Sequence, residues 1–223
     1  VGEAFHETTG VAYTFIPNAV DHESLKRDAL RTLNVHTELD LPPEAYLVLT
    51  VGRIDDQKNY PCVLRCARQL VSWDPTIHLI CVGDGLRFGQ MLQLRDTMGL
   101  RGNVHFLGRR DDVPALMARA HAFLLLSRNE GMPRVVAEAM LSGLPVVATA
   151  VDGTPEMMDD GMEGFLVPDD DDQLAAQRVM QIRKDPVLAS AMAAAGRIRA
   201  ERNHTLGPLG AAVSSVYDDL LTT

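Results

Sequence analysis

Positive charge is in short supply in this chain: lysine and arginine number 21 against 30 aspartates and glutamates, for a net charge of −9. That balance excludes a nucleic-acid backbone as the main partner, because phosphate contacts need a basic face. Long apolar runs are missing too. No stretch approaches the ~20 consecutive apolar residues that span a bilayer, and no leader pattern opens the sequence, so neither a membrane span nor a signal peptide is expected. Cysteine is limited to Cys62, Cys66 and Cys81, a usage that suits a reducing, cytoplasmic setting. Cys62 and Cys66 stand four apart in an expected helix and share a face. Two further soft ligands are lacking nearby, so packing rather than metal binding is expected of them. What is present is ample core material, 46% hydrophobic over 223 residues. That is enough for one large domain, or for one domain and a piece of another.

From residue 46 onward, short buried runs alternate with helical stretches. YLVLTV (46–51), IHLICV (77–82), VHFL (104–107), residues 123–126, residues 146–148 and GFLV (164–167) read as six strands. Between them the pattern predicts helices over 61–72, 86–98 and 113–119, one opening at Pro133, and one over 170–183; two more follow over 186–202 and 209–221. Asp111 or Asp112 is placed to cap the third of these, and the acidic run 169–172 reads as a solvated helix start. Continuous apolar strands separated by helices imply a parallel sheet covered on both faces, a doubly wound α/β fold. The opening is less regular: VAYTFIP (11–17) alternates as a strand, residues 23–33 read as a helix, and Pro42-Pro43 breaks the chain.

In such a sheet, ligands gather in loops beyond the carboxyl ends of the strands. After the first strand, Gly52 permits close backbone approach, and Arg53 and Lys58 place two cations ahead of a helix start, a plausible clamp for a diphosphate. The same two cations would also serve simply to neutralise Asp55 and Asp56. The spacing matches neither GxGxxG nor GxxxxGK[ST]. GDG (83–85) after the second strand and Gly108-Arg109 after the third are tight turns whose exposed backbone can meet a ligand. After the fourth strand come Glu130, Gly131, Met132 and Pro133, with Glu138 in the helix that follows. Were both glutamates on one helix, eight positions would set them about 12 Å apart along its axis. That exceeds the roughly 5 to 9.5 Å of a hydrolytic carboxylate pair. Glu138 is the one charge within VVAEAML, and a buried carboxylate needs a partner, for which a sugar diol is one candidate.

Taken in order, these motifs resemble the C-terminal, donor-binding domain of a family 4 (group 1) retaining glycosyltransferase of the GT-B fold. IPNAVD (16–21) is similar to that family's interdomain segment, usually IPNGVD, with Ala19 in place of glycine. VGRIDDQKN (51–59), VGDG (82–85) and VHFLGRRDDV (104–113) resemble its next strand ends. SRNEGMPRVVAEAMLSGLPVVAT matches its E-x7-E block with both glutamates in register. DGTPEMMDDGMEGFLVPDDDDQLA resembles the block after it, which usually begins GG, so Asp152 departs from the pattern.

The resemblance implies one Rossmann-like half of a GT-B architecture. Residues 1–20 would be the tail of an N-terminal domain and a linker, 21–205 the nucleotide-sugar-binding domain, and 206–223 a helix crossing back to that N-terminal domain. It implies that Arg53 and Lys58 bind the donor's diphosphate and stabilise the departing nucleoside diphosphate. Glu138 would hold the ribose, and Arg109, mostly through its backbone, would meet the base. Glu130 would lie by the transferred sugar, with the backbone of Gly131, Met132 and Pro133 close by; Gly52 and Gly83 complete the donor site. The implied donor is a nucleoside-diphosphate sugar, with uracil as base. No metal or other cofactor is called for, since the two cations take that role. The acceptor, a sugar or a lipid-linked glycan, would bind mainly to the N-terminal domain. The whole protein could then lie at the inner face of a membrane, and this chain alone would transfer little sugar. Three other readings are a nucleotide-sugar epimerase, a phosphorylase and a non-catalytic binding module. A phosphorylase needs a pyridoxal-phosphate lysine, and the only lysines are Lys26, Lys58 and Lys184, none in such a context. Retention of Arg53, Lys58, Glu130 and Glu138 speaks against the binding module.

Overall fold

The computed structural model describes residues 16–221; residues 11–15 of the expected first strand lie outside it. Helix α1 (His22–Ala29) begins at Asp21, whose carboxylate accepts the Ser24 N–H, and α2 (Val35–Glu38) at Asn34, which caps Thr37 in the same way. The helix expected over 23–33 stops early, at Ala29, and α2 lies beyond the expected range. The break is held by Arg119, whose guanidinium donates to the carbonyls of Arg31 and Leu33 and so occupies acceptors that a continuing helix would use.

The remaining elements are β1 (Tyr46–Val51), α3 (Tyr60–Trp73), β2 (Ile77–Val82), α4 (Phe88–Thr97), β3 (Val104–Phe106), α5 (Val113–Met117), β4 (Ala122–Leu125) and α6 (Arg134–Leu141). They are followed by β5 (Val146–Thr149), α7 (Thr154–Met157), β6 (Gly164–Val167), α8 (Asp172–Lys184), α9 (Pro186–Asn203) and α10 (Leu206–Leu221). The strands form one six-stranded sheet in the order β3-β2-β1-β4-β5-β6, parallel throughout, with Tyr46 beside Ile77, Val48 beside Ala122 and Val146 beside Gly164.

Alternate residues of each strand face opposite sides. Val48, Cys81, Leu124 and Val147 pack against α3 and α8, while Leu49, Ile80, Phe123 and Ala148 pack against α5 and α6. All three cysteines are free and buried in the first of these layers, and burial pushes the Cys62 thiol up to about 12. They pack within that layer.

Four local expectations are corrected. Asp112 stands at the start of α5 without capping it, because its carboxylate is taken by Arg110. Pro133 occupies the N-cap position rather than the first turn. The acidic run is only partly solvated: Asp171 caps α8 through Leu174 N, while Asp170 and Asp172 bind Arg65 of α3 at 2.8 and 2.7 Å. The last helix starts three residues earlier than expected, at Leu206. Among the described residues no helix is long and apolar enough to cross a membrane.

Candidate functional site

Strand order reverses between β1 and β4: the chain runs outward from β1 through β2 to β3, then returns to β1's other side with β4. At such a switch point the loops beyond the two carboxyl ends lead away in opposite directions and leave a crevice. The loops in question are 52–59 after β1 and 126–133 after β4, the two that carry most of the candidate residues.

The first loop is built on glycines. Gly52 donates to Val82 O at 3.0 Å and accepts from the Tyr60 hydroxyl at 3.3 Å; burial pushes that phenol well up, so it stays a donor. A side chain at 52 would press on the Lys58 stem, 3.0 Å from its Cε. Gly83, with φ of +138°, lies so close that a Cβ would come within 1.9 Å of Gly52 O, and its N–H reaches Gly108 O at 2.8 Å. Thus the ends of β1, β2 and β3 are drawn together at Gly52, Gly83 and Gly108. Arg109, one residue on, is exposed.

Lys58 turns from the first loop to the second. Its ammonium lies 2.5 Å from Glu130 Oε1, with only 14% and 7% of the two side chains exposed. Ser127 donates to the same carboxylate oxygen at 2.6 Å. This second donor matters, because a buried ion pair recovers its desolvation cost only when its remaining valences are met. Backbone bonds sew the two loops together: Arg128 N to Gln57 O at 2.8 Å, and the Gln57 amide to Asn129 O at 3.1 Å. Arg53 is 76% exposed, 3.4 Å from Asp55, and touches Gln57 at 3.4 Å. Charge neutralisation therefore describes Arg53 with Asp55, while Asp56 is held by Arg87 and Lys58 is left to Glu130.

The loop after β5 closes the site from the third side. Asp152 accepts the Glu130 N–H at 2.8 Å, Gly153 donates to Glu130 O at 3.0 Å, and a Cβ on Gly153 would sit 1.7 Å from Gly131 O. Met132 meets Asn18, which donates its side-chain amide to Met132 O and its backbone N–H to the Met132 sulfur, both at 3.2 Å. Pro133 is buried where α6 begins.

Glu138 lies one turn into α6, mostly enclosed, and its partner is Arg134 at 3.0 Å rather than a residue of the neighbouring loops. Lys58, Glu130, Gly52, Gly83 and Gly131 thus come together directly, Arg53 joins through Gln57, and Glu138 and Arg109 flank the group. Four participants escaped the sequence reading: Asn18, Gln57, Ser127 and Arg134. Only Arg134 carried a visible signal, its i,i+4 spacing from Glu138.

The family model described as glycosyl transferases group 1 matches residues 33–199. The N-acetyl-alpha-D-glucosaminyl L-malate synthase of Bacillus anthracis is 33% identical over 209 residues, 94% of this chain and 53% of that protein. The crystal structure of Anabaena Alr3699/HepE in complex with UDP and glucose superposes with a TM-score of 0.81 at 24% identity, covering 94% of this chain and 57% of that one. The C-terminal domain of the glycosyl transferase group 1 family protein LpcC from Francisella tularensis superposes with a TM-score of 0.72 at 22% identity, over 84% of this chain and 100% of that domain. The chain spans about half the length of the curated relatives it matches.

Proposed function

The chain belongs to the group 1 glycosyl transferases and has the fold of one half of their GT-B architecture, and from that premise we propose that its switch-point crevice binds a UDP-sugar for a retaining transfer. The observation that carries this reading is the nearly enclosed contact between Lys58 and Glu130, bridging the two loops that flank the crevice. An ammonium held there is aimed at an anion entering between β1 and β4, and a fixed cation is most effective where negative charge grows as a bond breaks. On this reading Lys58 and the more exposed Arg53 grip the diphosphate and steady it as it departs, in the role a metal ion plays elsewhere. Glu138 turns from Arg134 to the ribose hydroxyls, and the backbone about Arg109 meets the base. Glu130 and the backbone of Gly131, Met132 and Pro133 face the sugar. Uracil as the base is supported by the UDP bound in the Anabaena relative.

The acceptor, a sugar or lipid-linked glycan, is assigned to the N-terminal half of the architecture, so the chain alone is expected to bind donor and transfer little. Three free thiols suit a cytoplasmic reaction, at the inner membrane face when the acceptor is lipid-linked. Isothermal calorimetry with UDP tests the donor site. The chain is expected to bind, and Lys58→Ala to lose about tenfold or more in affinity, the weight of one charge-assisted contact. Absence of binding by the unsubstituted chain overturns the assignment.

A further inference from the structure

We propose that Asp152 is a positioning residue for Glu130 and thereby governs the hold on the donor's sugar rather than on its nucleotide; this rests on the donor-site reading above. The backbone of Asp152 has φ of +45°, a region that glycine enters freely and that other residues enter under strain, Asn and Asp least unwillingly. Glycine is the residue the resembling motif usually carries here. The carboxylate does something glycine cannot: it accepts the Glu130 N–H at 2.8 Å. The next residue, Gly153, donates to the Glu130 carbonyl at 3.0 Å, so the two peptide groups flanking Glu130 are gripped by consecutive residues of one loop.

The Glu130 side chain has two further holders, Ser127 at 2.6 Å and Lys58 at 2.5 Å. Lys58 is also the cation that an arriving diphosphate claims. Once its ammonium is shared with phosphate oxygens, the grip it exerts on Glu130 loosens. The Asp152 and Gly153 bonds act on the backbone and are untouched by that exchange. Asp152 therefore keeps Glu130 aligned with the sugar in the loaded site, and its removal weakens the sugar's contribution while leaving the nucleotide's intact.

Calorimetry on the chain, on Asp152→Gly and on Asp152→Asn tests this, using UDP, UDP-glucose, UDP-galactose and UDP-N-acetylglucosamine. For the nucleotide sugar that the unsubstituted chain binds most tightly, Asp152→Gly is expected to lose about tenfold in affinity, the weight of one hydrogen bond to a positioned group, while its affinity for UDP stays within about twofold. Asparagine tolerates the same backbone and its amide oxygen accepts the same N–H, so Asp152→Asn is expected to restore sugar binding. Thermal unfolding of Asp152→Gly should stay close to that of the unsubstituted chain, because relief of the backbone strain offsets the lost hydrogen bond. Equal weakening toward UDP and the nucleotide sugar, no weakening toward either, or no gain from any sugar over UDP in the unsubstituted chain overturns the proposal. Failure of the unsubstituted chain to bind UDP overturns the donor-site reading beneath it.

Discussion

Lys58 and Glu130 are as costly apart as they are useful together. Lys58→Met leaves a carboxylate that is 7% exposed with Ser127 as its remaining side-chain donor, and removal of one partner from a buried pair costs about 3–5 kcal/mol. Replacing both, Lys58→Met with Glu130→Leu, removes the uncompensated charge and is expected to recover most of that loss. Urea unfolding of the two single variants and the double variant measures the coupling; additive losses would mean that the contact is absent in solution. Residues of this kind were half legible. Arg53, Lys58, Glu130 and Glu138 stood out as charges at strand ends or within an apolar helix. That Lys58 would choose a glutamate 72 positions away over the adjacent Asp55 and Asp56 is a product of strand order, which local pattern does not carry. Glu138 was expected to need a partner and has one in Arg134, so the ribose contact proposed for it requires an exchange. Arg134→Ala should strengthen UDP binding slightly, about twofold to fivefold for a surface ion pair of this kind; unchanged or weaker binding would assign Arg134 a direct role.

Elements were read well where their apolar runs were continuous and poorly where side chains from elsewhere set their ends. The six strands fall where expected because their apolar runs are continuous and mostly buried, whereas the break after α1 depends on Arg119 reaching back some 86 to 90 positions. The joined ends of β1 and β2 make a test at this scale. Gly83→Ala drives a Cβ to 1.9 Å from Gly52 O at a φ of +138°, where backbone rather than a flexible side chain must yield. A loss of about 3 kcal/mol or more in urea unfolding is expected, with UDP affinity falling in parallel because Gly52 borders Lys58.

The β2–β3 edge carries a different sensitivity. His78 and His105 stack with ring nitrogens 3.1 Å apart, and burial first, then His78 and Arg95, hold His105 down to about 4; His78 is lowered too, by burial and by His36. The unfolded chain takes up protons on these rings near their ordinary value of 6.5 while the folded chain refuses them. Stability is therefore retained above that value and lost as pH falls from about 6.5 toward 4. His105→Phe is expected to flatten that part of the stability–pH curve; an unchanged slope would show that the rings titrate normally.

At the scale of the whole molecule, one group of exposed apolar residues lies along α10. Leu206, Tyr217 and Leu221 are 53, 64 and 84% exposed, with Val213 beside them. Such a face is a site of association when nothing covers it. Sedimentation velocity over a concentration series is expected to show reversible self-association that Tyr217→Lys diminishes; a monomer at every concentration would refute this. We also propose that the helix finds its cover on the N-terminal half of the architecture, as the resemblance implies.

The contact between Asn18 and Met132 ties the segment ahead of α1 to the candidate site. Residue 18 lies only a few positions before α1, yet it fastens by main chain and side chain to the tip of the loop that opens α6. Two bonds to one residue leave the segment about Asn18 little freedom relative to that loop. The tie bypasses the sheet, so the start of α6 and the segment ahead of α1 are fastened to each other and not only to the core between them.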